Sequence, residues 1–202
     1  MRLPADQRRR QLLDVARDVF AEGGFHATSM DDVAVRAGVT KPVLYQHFPS
    51  KRALYIELLN DTGGHLLRSL EDATRRAPSG RERVEEGFAA YFRFVVSNRS
   101  AFRLLFGASM RSDPEFARIV EATIAAAVEA ISPLIEIPAS PEQRTVLANA
   151  LVGMAESVSR RAVHDPDAED DAERLARWVA ELAWFGLRGV RADERAAQVT
   201  TS

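Results

Sequence analysis

The sequence predicts an all-α protein, a small three-helix head at the N-terminus followed by a larger helical body. Three observations carry this. Apolar residues recur at spacings of three and four through nearly every long segment. Short Gly/Pro/Ser punctuation separates the segments, at Gly23-Gly24, Gly38, Pro49-Ser50, Pro78-Ser79-Gly80 and residues 138–141. Residues 28–51, TSMDDVAVRAGVTKPVLYQHFPSK, read as two short helices joined by a tight turn.

The first helix is expected over residues 7–22, where Leu12, Val15, Ala16, Val19 and Phe20 share one face and Gly23-Gly24 ends it. Phe25 then packs back as the chain turns. Thr28 is the expected N-cap of the second helix, with Asp31 near its positive end. Met30, Val33, Ala34 and Ala37 form that helix's apolar face, and Gly38 closes it. Thr40 offers a cap for the third helix and Pro42 falls in its first turn, where a missing N–H costs little. Leu44 and Phe48 point inward, leaving Lys41, Pro42, Val43, Tyr45, Gln46 and His47 for the remaining faces. This is a helix-turn-helix, whose second helix is shaped for the DNA major groove.

GVTKPVLYQHFPSKRAL resembles the signature of the TetR family of bacterial transcriptional regulators, and the resemblance extends over about residues 7–59. Beyond residue 60 only size and helical character match. The resemblance implies a homodimer on double-stranded DNA, with a helical ligand-binding and dimerisation body, and assigns roles to individual residues. Lys41 donates to guanine, Pro42 and Val43 touch a thymine methyl, and Gln46 pairs with adenine. Tyr45 and His47 contact phosphate, as does Lys51 at a helix start. Thr28 and Thr40 add hydroxyl or backbone contacts. Arg8, Arg9 and Arg10 read either as a solvated helix start or as a basic arm reaching the duplex.

A fourth helix, 51–76, carries Leu54, Leu58, Leu59, Leu66, Leu67 and Leu70. Gly63-Gly64 is expected to interrupt it with a bend, each glycine costing ~1 kcal/mol relative to alanine. By resemblance this helix is the link, and the only covalent one, between head (1–50) and body (77–193). Further helices are expected over 81–98, 100–108, 113–135, 141–163 and 170–190. The acidic run DPDAEDD is a solvated loop, and residues 194–202 are a disordered tail.

The body is rich in aromatics. Phe88, Tyr91, Phe92, Phe102, Phe106, Met110 and Met154 could line an apolar effector cavity, with His65, Asn149 and Glu156 as its polar groups. The bland alternative is that they fill a core. Small residues among large ones mark the last two helices: Ala150, Gly153 and Ser157, then Ala183, Gly186 and Gly189 beside Trp178, Leu182 and Phe185. Such faces pack closely, and the resemblance implies a four-helix dimer interface there.

Composition agrees with this reading. A 46% apolar fraction supports a core, and net charge is −2. The charge divides as +2 over residues 1–60 and −4 over the remainder, a modest basic head on an acidic body. Only Lys41 and Lys51 are lysines, and both fall at motif positions. No stretch approaches the ~20 apolar residues that span a bilayer, so a cytoplasmic location is expected, on the nucleoid when bound to an operator. No cysteine is present, and the histidines at 26, 47, 65 and 164 have no ligand spacing. Neither an enzyme nor a metal or cofactor site is expected. The expected function is an operator-binding repressor released by a small apolar effector; the alternative is a regulator whose body binds a protein or no effector.

Overall fold

The structure, a computed structural model, describes residues 4–106, 113–164 and 172–191. Within them the chain is helical: α1 (Ala5–Ala27), α2 (Met30–Arg36), α3 (Lys41–His47), α4 (Lys51–Arg76), α5 (Gly80–Ser97), α6 (Arg99–Phe106), α7 (Pro114–Ile131), a 3-10 turn (Ser132–Leu134), α8 (Pro141–His164) and α9 (Ala172–Gly189). Among the described residues no helix is long and apolar enough to cross a membrane. The acidic run and the C-terminal tail lie outside the described residues, as does Met110.

Most of the helix starts are set by one short polar side chain. Oγ of Ser50 accepts from the Ala53 N–H at 3.0 Å, Ser79 from Glu82 at 3.2 Å and Ser140 from Gln143 at 3.1 Å. Asp113 Oδ1 accepts from the Glu115 N–H at 2.9 Å. Each bond satisfies an N–H that has no partner within its own helix. The cap of α2 is Ser29, not Thr28 as expected. Ser29 Oγ accepts from the Asp32 N–H at 3.1 Å while the Asp32 carboxylate accepts from the Ser29 N–H at 2.8 Å, a reciprocal capping box. Those bonds hold the Asp32 carboxyl below its usual range, the backbone bond most.

Two glycines turn the chain in the head. Regular α1 geometry breaks at Gly24 (φ 73°), and Gly38 (φ 64°) closes α2, both in the left-handed region. Gly63-Gly64 behaves otherwise. The expected interruption is absent, and α4 runs unbroken over 26 residues. A glycine inside a helix lowers its stability without forcing a bend, because the hydrogen-bond ladder continues through it.

Packing divides the chain into two compact units, and each is built separately. The first comprises Met1–His65 with Asn98–Glu121; the second comprises Leu66–Ser97 with Ala122–Ser202. The chain therefore crosses from one to the other three times, after residues 65, 97 and 121. The partition by packing also differs from the functional division expected at residues 50 and 76, because α6 and the start of α7 join the head.

The first unit centres on Leu12, Ala16, Phe20, Val33, Leu44, Phe48, Leu54, Leu58 and Leu59, all buried, with α6 laid along α1 and α2 between α1 and α3. Phe20, Phe25, Tyr55 and Phe116 join in an aromatic cluster. Ring centroids are 5.1 Å apart for Phe20–Tyr55, 5.0 Å for Phe25–Tyr55, and 4.8 Å for both Phe25–Phe116 and Tyr55–Phe116. Such contacts add to ordinary burial. In the second unit α5 lies against α9 and α8, and buries Phe88, Tyr91, Phe92 and Val95 against Leu151, Ala155, Ala176, Val179, Ala180 and Ala183.

Candidate nucleic-acid interface

Helix α3 follows Gly38 and begins at Lys41 because Pro42 is pre-set for a first helical turn. Thr40 is its N-cap residue but makes no side-chain cap bond. Leu44 and Phe48 anchor α3 in the head core, fully buried. Lys41, Pro42, Tyr45 and Gln46 are exposed, with Val43 and His47 half-buried beside them. One side of α3 is thus spent on the core and the other is presented outward, as the spacing predicts.

Lys41 does not stand alone. Its Nζ donates to Asp31 Oδ2 at 2.9 Å, across the turn between α2 and α3. Hydrogen bonding to Asp31, then its charge, raises the ammonium's pKa and keeps it charged. The last carbonyl of α3 is held from α1. Arg9 donates to His47 O at 2.6 Å, pairs with the Glu57 carboxylate, and lies 4.4 Å over the Phe48 ring. Arg9 is thus tied within the head while its side chain stays 38% exposed. Arg10 meets His65 Nε2 at 2.9 Å, and Arg8 donates to Gln11 at 2.9 Å.

Two expected contacts are corrected. Thr28 is buried; its hydroxyl donates weakly to Val19 O at 3.4 Å and its N–H to Gly24 O at 3.4 Å, so neither is presented to a duplex. Lys51 is turned inward. Its Nζ donates to Phe25 O at 2.8 Å, Thr28 O at 2.9 Å and His26 O at 3.3 Å, and sits 4.6 Å over the Phe25 ring. An ammonium has three protons, and here all three tie the end of α1 to the start of α4. Lys51 thus holds the frame of the head together.

Arg52, the next residue, was not singled out from sequence. It donates to Asp113 Oδ2 at 2.7 Å and Glu115 Oε2 at 2.7 Å, and stacks 4.8 Å over Phe116. The Arg52 guanidinium holds the Asp113 carboxyl down to about 2. This planar cation fastens α4 to the start of α7 within the head. No local pattern announces a partner 61 residues away.

The expected cavity residues divide between the units. His65, Phe102 and Phe106 belong to the first, where the two phenyl rings lie 4.7 Å apart and His65 Nδ1 meets Asp61 at 3.3 Å. Phe88, Tyr91, Phe92, Asn149, Met154 and Glu156 belong to the second. Asn149 is exposed and its amide donates to Thr145 O at 2.9 Å, on the outer face of α8 and not in an interior. Tyr91 and Phe92 meet edge to face at 5.5 Å. Burial pushes the Tyr91 phenol far up, partly offset by the neighbouring Ser159 hydroxyl.

The residues expected at an interface between copies are exposed except Ala183, which is buried in the core of the second unit against α5. Trp178, Leu182 and Phe185 are 58%, 67% and 63% exposed on α9. Gly186 and Gly189 share that face, and Ala150, Gly153 and Ser157 are exposed on α8. A side chain added at Gly153, Gly186 or Gly189 would meet nothing within 4 Å in its own chain.

Comparison with known proteins bears on both units. Residues 12–58 match the model described as bacterial regulatory proteins, tetR family, and residues 81–186 match the tetracyclin repressor-like C-terminal domain. The chain is similar to the HTH-type transcriptional activator FasR of Mycolicibacterium smegmatis, 34% identical, covering 94% of this chain and 87% of that protein. It is 31% identical to the HTH-type transcriptional repressor KstR2 of Mycobacterium tuberculosis, over 92% and 82% of the two chains. A solved TetR-like regulator from Rhodococcus sp. RHA1 superposes with a TM-score of 0.77 at 30% identity, covering 94% of this chain and all of that one.

Proposed function

We propose, because this chain belongs to the TetR family of bacterial regulatory proteins, that it is a homodimeric repressor released from a (pseudo)palindromic operator by a small apolar effector. The observation that carries the reading is the outward face of α3, where Lys41, Pro42, Tyr45 and Gln46 stand exposed around a core-anchored Leu44. Side chains on such a face reach base edges, while residues at its ends meet phosphate. Lys41 and Gln46 read bases, Pro42 and Val43 contact a thymine methyl, and Tyr45, His47 and Thr40 serve the backbone.

One short helix reads only a few base pairs, and two heads about 34–36 Å apart supply the missing specificity. The apolar side of α8 and α9 supports pairing, since exposed faces of this kind mark contact sites. An effector acts by binding one head spacing better than the other, and operator DNA must then weaken effector binding by the same factor. A second reading, activation, is favoured by the similarity to FasR. The sign of regulation depends on where the operator lies relative to a promoter.

Selection of bound duplexes from a random pool tests the proposal. It should recover an inverted repeat, bound with one dimer per site. Recovery of no preferred sequence would overturn it.

A further inference from the structure

Helix α3 is seven residues long, and its two core anchors leave one motion open. Leu44 and Phe48 are fully buried but lie about one turn apart along a single line, so the helix can still roll about that line. Its last carbonyls also have no partner within the helix itself. Arg9, on α1 and 38 residues away in sequence, meets this end of α3 in three ways. Nη1 donates to the His47 carbonyl at 2.6 Å, Nη2 donates to the Glu57 carboxylate on α4, and the guanidinium lies 4.4 Å over the Phe48 ring. Both hydrogen bonds are part-buried, and together they tie α1, α3 and α4 at one point.

We propose that Arg9 is a positioning residue for base reading: it fixes the roll of α3 from the C-terminal end, and with it the place where Tyr45, Gln46 and His47 meet the duplex. The inference rests on α3 being the reading helix and names a residue outside that helix which sets its specificity. A roll of about 20° moves a side-chain tip 5–6 Å from the helix axis by roughly 2 Å. A hydrogen bond to a base edge does not survive such a displacement. The role needs a guanidinium. Its planar fork donates in two directions while its face lies on a ring, and an ammonium has no such face. A phosphate contact makes no such demand, because a lysine serves there as a point charge. The charge of Arg9 is matched by Glu57 inside the head, and a cation at the last carbonyl of α3 also suits the negative end of the helix. The opposite end of α3 is held separately, by the Gly38 turn and the Lys41–Asp31 bond at 2.9 Å.

The test uses the full chain with Arg9→Lys, Arg9→Gln and Glu57→Ala, on a selected operator and on a scrambled duplex. Titrations are run at a temperature where circular dichroism shows each variant folded. Arg9→Lys and Arg9→Gln should each lower the ratio of operator to scrambled affinity about tenfold, the worth of one base contact. Affinity for the scrambled duplex and its salt slope should stay as in wild type, because no phosphate contact is lost. Glu57→Ala should lower the same ratio, since it frees the other arm of the fork. Single-base variants of the operator should place the lost preference at steps other than the one that Lys41→Ala relaxes. An unchanged ratio in both Arg9 variants overturns the proposal, because the fork would then serve folding alone. So does a ratio kept by Arg9→Lys while Arg9→Gln weakens both duplexes and flattens the slope by about 0.9, which would make Arg9 a phosphate contact. Where the Arg9 variants do not fold, an unchanged ratio in Glu57→Ala overturns it. Wild type without a preferred sequence would remove base reading by α3 itself, whereas an intact wild-type preference that the variants share removes only the role of Arg9.

Discussion

Lys41 and Asp31 meet across the helix-turn-helix at 2.9 Å, joining the start of α3 to the first turn of α2. Both side chains are more than half exposed, so the pair adds little to stability. Its consequence is directional. A carboxylate beside the ammonium repels phosphate and leaves two N–H groups for another acceptor.

The first prediction follows from that pairing. Lys41→Ala should cost about 1–3 kcal/mol of discrimination at one base step of the operator. Asp31→Ala should strengthen binding to unrelated DNA and steepen the salt dependence by about 0.9 per released lysine–phosphate contact. Titrations between about 50 and 200 mM salt, on operator and on scrambled duplex, measure both. An unchanged ratio of the two affinities in Asp31→Ala would show that the carboxylate does not direct Lys41.

Lys51 should act on the folding of the head. Lys51→Ala strands three backbone carbonyls, two of them in part-buried bonds, and should destabilise the protein by about 1–3 kcal/mol. The salt dependence of operator binding at low temperature should stay as in wild type. Were Tm unchanged and the slope shallower by about 0.9, Lys51 would be a phosphate contact after all.

The exposed side of α8 and α9 predicts the assembly state. Leu182 is largely exposed and Gly186 has open space around it within its own chain. Leu182→Glu and Gly186→Glu should therefore leave each protomer folded while separating the dimer, because the added charge is desolvated only in the pair. Sedimentation velocity at micromolar concentration, with circular dichroism as a check on folding, reads this. Wild type sedimenting as a monomer would dismiss the interface.

Acid should loosen the head through Asp113. Its carboxyl is held down from 3.8 to about 2 chiefly by the Arg52 hydrogen bond, so the ionised form favours the folded state. That contribution is complete above the unfolded pKa near 4 and disappears as pH falls toward 2. Asp113→Asn should lower Tm at neutral pH and reduce its decline between pH 4 and 2. A variant whose acid profile parallels wild type would remove Asp113 from the stabilising set.

The glycine pair in α4 bears on coupling. With the helix unbroken through Gly63-Gly64, changing both to alanine should stiffen a continuous rod rather than straighten a bend. The ratio of effector affinities with and without operator should then differ between wild type and the double variant. Equal ratios would exclude compliance at this point from the switch.

What the sequence determined by itself was local and periodic. Helical spacing placed the helices to within a few residues, and short polar residues and prolines marked their starts. Gly38, Pro42, Leu44 and Phe48 together defined which side of α3 faces outward, because a cap, a turn and an amphipathic face depend on neighbours within about four residues. The same periodicity put Trp178, Leu182, Phe185 and Gly186 on one side of α9. Tertiary structure decided what each long or charged side chain does. Lys51 resembled a phosphate ligand until the end of α1 came within reach of its ammonium. Arg9 and Arg52 found Glu57 and Asp113 at sequence separations of 48 and 61 residues. The capping role passed from Thr28 to Ser29 because burial against α1 claimed the threonine. α6 joined the head through its packing on α1. A flexible side chain carries no local record of its partner: hydrogen-bond geometry and burial choose that partner only after the helices have packed.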